Sequence, residues 1–225
     1  KDYSASILAR LLNHSRQYKE DYQSLLIRYA AERFLYRLGR SDYRDSYVLK
    51  GAYLLAITLD DQTYRTTKDI DFLKTGDTDR DYIQESLKHI CSIKYPQDAV
   101  EFNTESITLQ DIREQNSYHG QRAKIQTHIG KARVVLQIDI GFGDSVYPGI
   151  IQKDIPSLLD LEEPSIESYP IETVIAEKLE AIIALSLLTR RMKDFYDLYI
   201  ILRTFTLGFT DIATAIRQTF NQRKT

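Results

Sequence analysis

The chain has 225 residues, 43% hydrophobic and 28% charged, with a formal net charge of −2. That is globular composition, enough for one sizeable core or a core plus a small lobe, and it argues against nonspecific, charge-driven nucleic-acid binding. A single cysteine, Cys91, excludes an internal disulfide framework, and the histidines at 14, 89, 119 and 128 have no cysteine at zinc-ligand spacing. With no run of eighteen apolar residues and no signal-peptide pattern, a cytoplasmic protein without a membrane partner is expected.

Residues 19–38 read as an amphipathic helix, since Tyr22, Leu25, Leu26, Tyr29, Ala30 and Phe34 recur at helical spacing, with Gly39 placed as its C-terminal cap. Tyr47-Val48-Leu49 reads as a short strand, and Gly51 opens an apolar helical run from Ala52 to Leu59. Such a strand–glycine–helix corner points unbonded backbone N–H groups at an anion. After a polar connection, Asp69 to Leu73 reads as a strand and residues 78–91 as a helix. Residues 120–141 read as two strands about a turn at Gly130. Ala123, Ile125, Thr127 and Ile129 share one face of the first; Val134, Leu136, Ile138 and Ile140 share one face of the second. Pro156, Pro164 and Pro170 then punctuate a linker, followed by helices over 172–188, 191–203 and 210–220. The expected organisation is a mixed α/β core over residues 1–160 and a helical lobe over 161–225 that completes the site.

Asp69-Ile70-Asp71 carries the clearest chemical signal. Period-2 alternation puts Ile70 and Phe72 toward the core and both carboxylates on the other face. Alone, such a pair is more often solvated surface. Two anions so placed favour a cation between them, and oxygen-only ligands suit Mg²⁺, or Mn²⁺, held together with substrate phosphates. If the 134–140 strand pairs beside Asp69–Leu73, Asp139 becomes a third carboxylate. Lys178 is expected at the edge of a buried stripe formed by 174, 175, 179, 182 and 183, where a lysine commonly keeps its head in water. Lys193 and Asp197 form an i,i+4 pair of the kind that decorates exposed helices, and for Asp194 the candidate partners within its helix are Arg190 or Arg191 one turn back. Two basic clusters, Arg28, Arg33, Arg37, Arg40 and Arg44 at one end and Arg217, Arg223 and Lys224 at the other, fit either a solvated helix face and a frayed tail or a local basic groove.

Taken in order, Lys50-Gly51, Arg65-Thr66-Thr67-Lys68-Asp69-Ile70-Asp71, Glu177-Lys178 with Ala181, and Arg191-Met192-Lys193-Asp194-Phe195-Tyr196-Asp197-Leu198 resemble the motifs of the AbiEii/MenT-type nucleotidyltransferase toxins. Leu11-Leu12-Asn13 and the stretch from Tyr29 to Leu38 also look like that family. The resemblance implies an α+β fold, with a polymerase-β-like nucleotidyltransferase core on a mixed sheet and a C-terminal helical lobe. It implies a type IV toxin paired with an antitoxin, and transfer of NMP from an NTP, often a pyrimidine, to the 3′ acceptor end of tRNA, which blocks translation. By position it makes Asp69, Asp71, Lys178 and Asp194 the catalytic set. Asp69 and Asp71 would be the metal ligands, with Asp139 a candidate third ligand or acceptor of the hydroxyl proton. Lys50, Gly51, Arg65 and Lys178 would meet the nucleotide. One departure concerns nucleotide choice: Ala52 follows Gly51 where the family commonly has a second glycine or a serine, which removes a hydroxyl within reach of phosphate. Two other readings stay open, NMP transfer to a protein hydroxyl and a non-catalytic binding module of the same fold.

Overall fold

A computed structural model describes residues 3–59, 67–114, 118–185 and 192–225. Two helices come first, α1 (Ser4–Tyr18) and α2 (Tyr22–Gly39). Asp21 starts the second by accepting from Ser24 N at 2.8 Å, which satisfies one of the N–H groups a helix start leaves unbonded. Its apolar face, from Leu25 through Tyr29 and Phe34 to Leu38, is buried.

Next come β1 (Tyr47–Lys50), α3 (Gly51–Leu59), β2 (Asp69–Lys74) and α4 (Arg80–Ser92). The strands β3 (Val100–Phe102), β4 (Thr108–Glu114), β5 (Tyr118–Ile129) and β6 (Ala132–Phe142) follow, then β7 (Ile151–Asp154) and β8 (Ser165–Ser168). Three helices close the chain, α5 (Ile171–Leu185), α6 (Met192–Thr204) and α7 (Phe209–Arg223).

The eight strands of the described residues join one mixed sheet in the order β3-β5-β6-β2-β1-β8-β7, with β4 also pairing with β5. β2 runs parallel to β6 and antiparallel to β1, while β1 runs parallel to β8. Ile70 and Phe72 of β2 are fully buried, and the Phe72 ring lies 6.4 Å from that of Phe34 in α2. The long β5–β6 hairpin buries Ala123, Ile125, Ile129, Leu136 and Ile138 on its core side, as its alternation requires.

Three expectations change. The sheet continues beyond residue 160, because Ser165–Ser168 of the proline-punctuated segment forms β8 and lies next to β1. Gly39 is the last residue of α2 rather than a left-handed cap, and Arg40 follows it at φ −100°. A Cβ on Gly39 would lie 2.5 Å from the carbonyl oxygen of Ser165, so close approach to β8 is what demands glycine there. The first basic cluster is neither a wholly solvated face nor a groove, since Arg33 and Arg37 are buried. Arg37 reaches Asp98 at 2.8 Å, and Arg33 donates to the Glu162 carbonyl at 2.6 Å.

Candidate active site

The site is built where β1 ends. Antiparallel pairing sets Lys50 opposite Asp71, and the next residue, Gly51, turns into α3 with φ of +72°. A Cβ at position 51 would lie 2.2 Å from Asp71 Oδ2. Glycine is therefore required both by the left-handed backbone and by the carboxylate packed against it. The first turn of α3 presents N–H groups with no intrahelical partner beside that carboxylate.

Parallel pairing of β2 with β6 brings Asp71 and Asp139 into register. Paired residues on neighbouring strands point to the same side, so Asp69, Asp71 and Asp139 share the face opposite Ile70 and Phe72. Burial pushes Asp71 up to about 7; Lys50 opposes this, while Asp139 and Asp69 add to it. Asp69 is raised by burial and then by Asp139. Asp139 is engaged by a neighbour: Arg122 Nε donates to Oδ1 at 2.7 Å and Nη2 to Oδ2 at 2.6 Å. That bond is the first cause holding the Arg122 pKa above its ordinary value.

Lys178 of α5 is 9% exposed, not at the water edge. Its ammonium is sealed by α6, donating to Asp194 Oδ1 at 3.0 Å and to Asp197 Oδ2 at 2.6 Å. Asp197 is fully buried, so it is not the exposed helix-surface partner of Lys193 that the spacing suggested. The expected stripe on α5 is buried at Val174 and Ile175 but ends before Ile183, which is exposed.

Residues from both halves of the chain line one cavity of ≈ 270 Å³: Lys50, Gly51, Ala52, Asp71, Asp139, Glu177, Lys178, Asp194 and Arg223, with Ile112, Ile140 and Val174 as apolar wall. A family model described as nucleotidyl transferase AbiEii toxin, type IV TA system, matches residues 33–225. The chain belongs to the AbiEii family. It is thus a nucleotidyltransferase of a type IV toxin–antitoxin family, which implies an NTP as substrate and an antitoxin as partner. The match leaves out Leu11-Leu12-Asn13.

Solved structures give the same fold for this AbiEii protein. A candidate nucleotidyltransferase from H. pylori is 17% identical, with a TM-score of 0.54 over 89% of this chain and 78% of that one. JHP933 from Helicobacter pylori is 16% identical, with a TM-score of 0.53 over 89% and 80%. No curated protein matches. No described helix is long and apolar enough to cross a membrane.

Of the residues expected to act in this AbiEii protein, Lys50, Gly51, Asp71, Asp139, Lys178 and Asp194 meet in the cavity. Asp69 adjoins them on the strand face without lining it, and Arg65 lies outside the described residues. Among the described residues no group of three or more His, Cys, Asp or Glu side chains is placed to hold a metal ion. The donor set still fits Mg²⁺, which usually takes one or two carboxylates plus substrate phosphates rather than a full protein cage. Against burial and Asp139, Asp69 also feels the positive charges of Arg122, Lys124 and Lys193, which act to lower its pKa.

Sequence reasoning missed an ionic cluster beside Lys50. Lys50 Nζ lies 2.5 Å from Asp144 Oδ2 and 3.0 Å from Glu177 Oε1. Arg223, open to either a frayed tail or a basic groove from the sequence, is held in ion pairs with Asp144 Oδ1 at 3.0 Å, Glu177 Oε1 at 2.7 Å and Glu180 Oε2 at 2.8 Å. A signal was present, since Ala215 and Thr219 are buried and Arg223 continues their i,i+4 row. Burial drives Glu177 up to about 7. Burial also acts to raise Asp144, but Lys50, the Glu177 hydrogen bond and Arg223 overcome it and hold that carboxyl below the ordinary range.

Proposed function

We propose that this AbiEii toxin is a Mg²⁺-dependent NTP:tRNA nucleotidyltransferase that adds NMP to the 3′ end of tRNA and so stops translation. The observation that carries the reading is the meeting of Asp71, the Gly51 corner and the Lys178–Asp194 pair in one cavity. With NTP and tRNA as its substrates, the reaction is assigned to the cytoplasm. Pyrimidine nucleotides are the first to test.

The triphosphate would lie against the first turn of α3, where backbone N–H groups meet anionic oxygen. Asp69 and Asp71 would hold Mg²⁺ or Mn²⁺ together with phosphate oxygens, and the ion would stabilise charge developing on the phosphates. The 3′ hydroxyl oxygen of tRNA bonds to the α-phosphorus as the bond from that phosphorus to the β-phosphate oxygen breaks, and pyrophosphate leaves. Asp139, in register with Asp71, is assigned the hydroxyl proton, and Arg122 holds its carboxylate from the β5 side. Lys178 offsets negative charge on the departing phosphates, while Asp194 and Asp197 fix its ammonium.

The test is incubation of purified protein with total tRNA and each labelled NTP, with and without Mg²⁺, followed by RNase or protease. Label removed by RNase, dependent on Mg²⁺ and absent in Asp69→Ala and Lys178→Ala, supports the reading. Label removed only by protease assigns a protein acceptor, and parent-rate labelling by either variant refutes the site.

A further inference from the structure

We infer that Arg223, at the end of α7, is a positioning residue of the nucleotide site: it holds Asp144 and Glu177 so that Lys50 can turn toward the phosphates. This inference rests on the nucleotidyltransferase reading above.

Lys50 and Arg223 share the same two carboxylates, and Arg223 also reaches Glu180 Oε2 at 2.8 Å. Asp144 faces Lys50 through Oδ2 at 2.5 Å and Arg223 through Oδ1 at 3.0 Å. Glu177 Oε1 accepts from both, at 3.0 Å from Lys50 and 2.7 Å from Arg223. The Tyr169 hydroxyl donates to the same two carboxylates, at 3.0 Å to Asp144 and 3.4 Å to Glu177. Lys50 and Arg223 both line the cavity. With Arg223 present, a swing of Lys50 toward a phosphate leaves both carboxylates with a charged donor. With Arg223 removed, the same swing takes a second cation away from the two buried carboxyl groups, so Lys50 is held more tightly against them.

The placement of Arg223 is built into the fold. The segment leaving β6 fastens α7 along its length: Tyr147 OH donates to Asp211 at 3.2 Å, Ser145 Oγ to Gln218 Oε1 at 3.1 Å, and Gln222 Nε2 to the Gly143 carbonyl at 2.8 Å. The segment that follows the Asp139 strand therefore helps to set the guanidinium.

The experiment measures binding of the α,β-imido analogues of the four ribonucleoside triphosphates, with Mg²⁺, by calorimetry, alongside thermal melts. Arg223→Gln is expected to raise Kd by about tenfold or more, Arg223→Lys by less. The paired change Arg223→Gln with Glu177→Gln is expected to recover most of the loss, because it removes one anion with one cation. Should Arg223→Gln melt earlier yet bind with the parent Kd, Arg223 is only a staple for α7 and the inference is overturned. A paired variant no better than Arg223→Gln alone overturns it too. If Arg223→Gln does not fold, Arg223→Lys decides: an unchanged Kd overturns the inference, a raised one supports it. Failure of the parent protein to bind any analogue overturns the nucleotidyltransferase reading along with it.

Discussion

Gly51 leaves Asp71 the space its carboxylate occupies, since any side chain at 51 would begin 2.2 Å from Asp71 Oδ2. Its left-handed backbone adds about 1–2 kcal/mol against an L side chain. Gly51→Ala is therefore expected to fold less stably and to displace the carboxylate. A shift of that kind in a reacting group costs about 10²-fold in rate. Steady-state NTP incorporation measures it, and parent kinetics in this variant would show that the carboxylate need not sit against the turn.

The two carboxylates on Lys178 should separate by burial. Asp197 is fully buried at 2.6 Å from Nζ, and removing one partner from a buried pair costs about 3–5 kcal/mol. Asp197→Ala is expected near the lower figure, because Asp194 still accepts from the same ammonium. Asp194 lines the cavity, so Asp194→Asn should lower nucleotide incorporation while shifting stability by only about 1 kcal/mol. Urea melts beside activity assays check both; equal stability losses in the two variants would contradict this division.

Stability of the ligand-free protein should fall as pH rises from 5 to 8. Glu177 has its pKa raised from 4.5 to about 7, so the folded state binds that proton more tightly than the unfolded chain. The associated stabilisation is complete below the unfolded value and is lost as pH passes through 7, by at most about 3 kcal/mol. Asp144 has the opposite sign: its contribution is present above the ordinary carboxylate range and is lost only in acid. Asp71 is raised for the same first reason as Glu177 and adds in the same sense. Glu177→Gln should flatten its share of the slope in urea midpoints measured across this range, and an unchanged slope would show that Glu177 does not hold the proton.

Gly39 tests the fold apart from the chemistry. Gly39→Ala would press a Cβ to 2.5 Å of the Ser165 carbonyl and part α2 from β8. The expected loss is about 1–3 kcal/mol by chemical denaturation, with nucleotide incorporation per folded molecule retained. No measurable destabilisation would mean that the two backbones can separate without cost.

The elements were legible where one face is buried and the other is not. Alternation in β2 and in the β5–β6 hairpin placed the Asp69–Asp71 face and brought Asp139 within reach of it. Lys178 was misread as an edge residue because its burial depends on two carboxylates from another helix, and no period within α5 reports them. Glu177, Asp144 and Arg223 were illegible as a cluster for the same reason: they come from α5, the segment after β6, and the end of α7. The strand β8 was hidden because four residues between prolines carry too little pattern to separate strand from linker.

The central claim is tested most directly by the mass of the tRNA 3′ end after incubation with the protein, Mg²⁺ and each NTP in turn. The expected result is a mass gain of one or more nucleoside monophosphates, with matching pyrophosphate release, abolished by chelation and by Asp71→Asn. An unchanged tRNA mass with every NTP, or a gain that survives Asp71→Asn, would contradict the account.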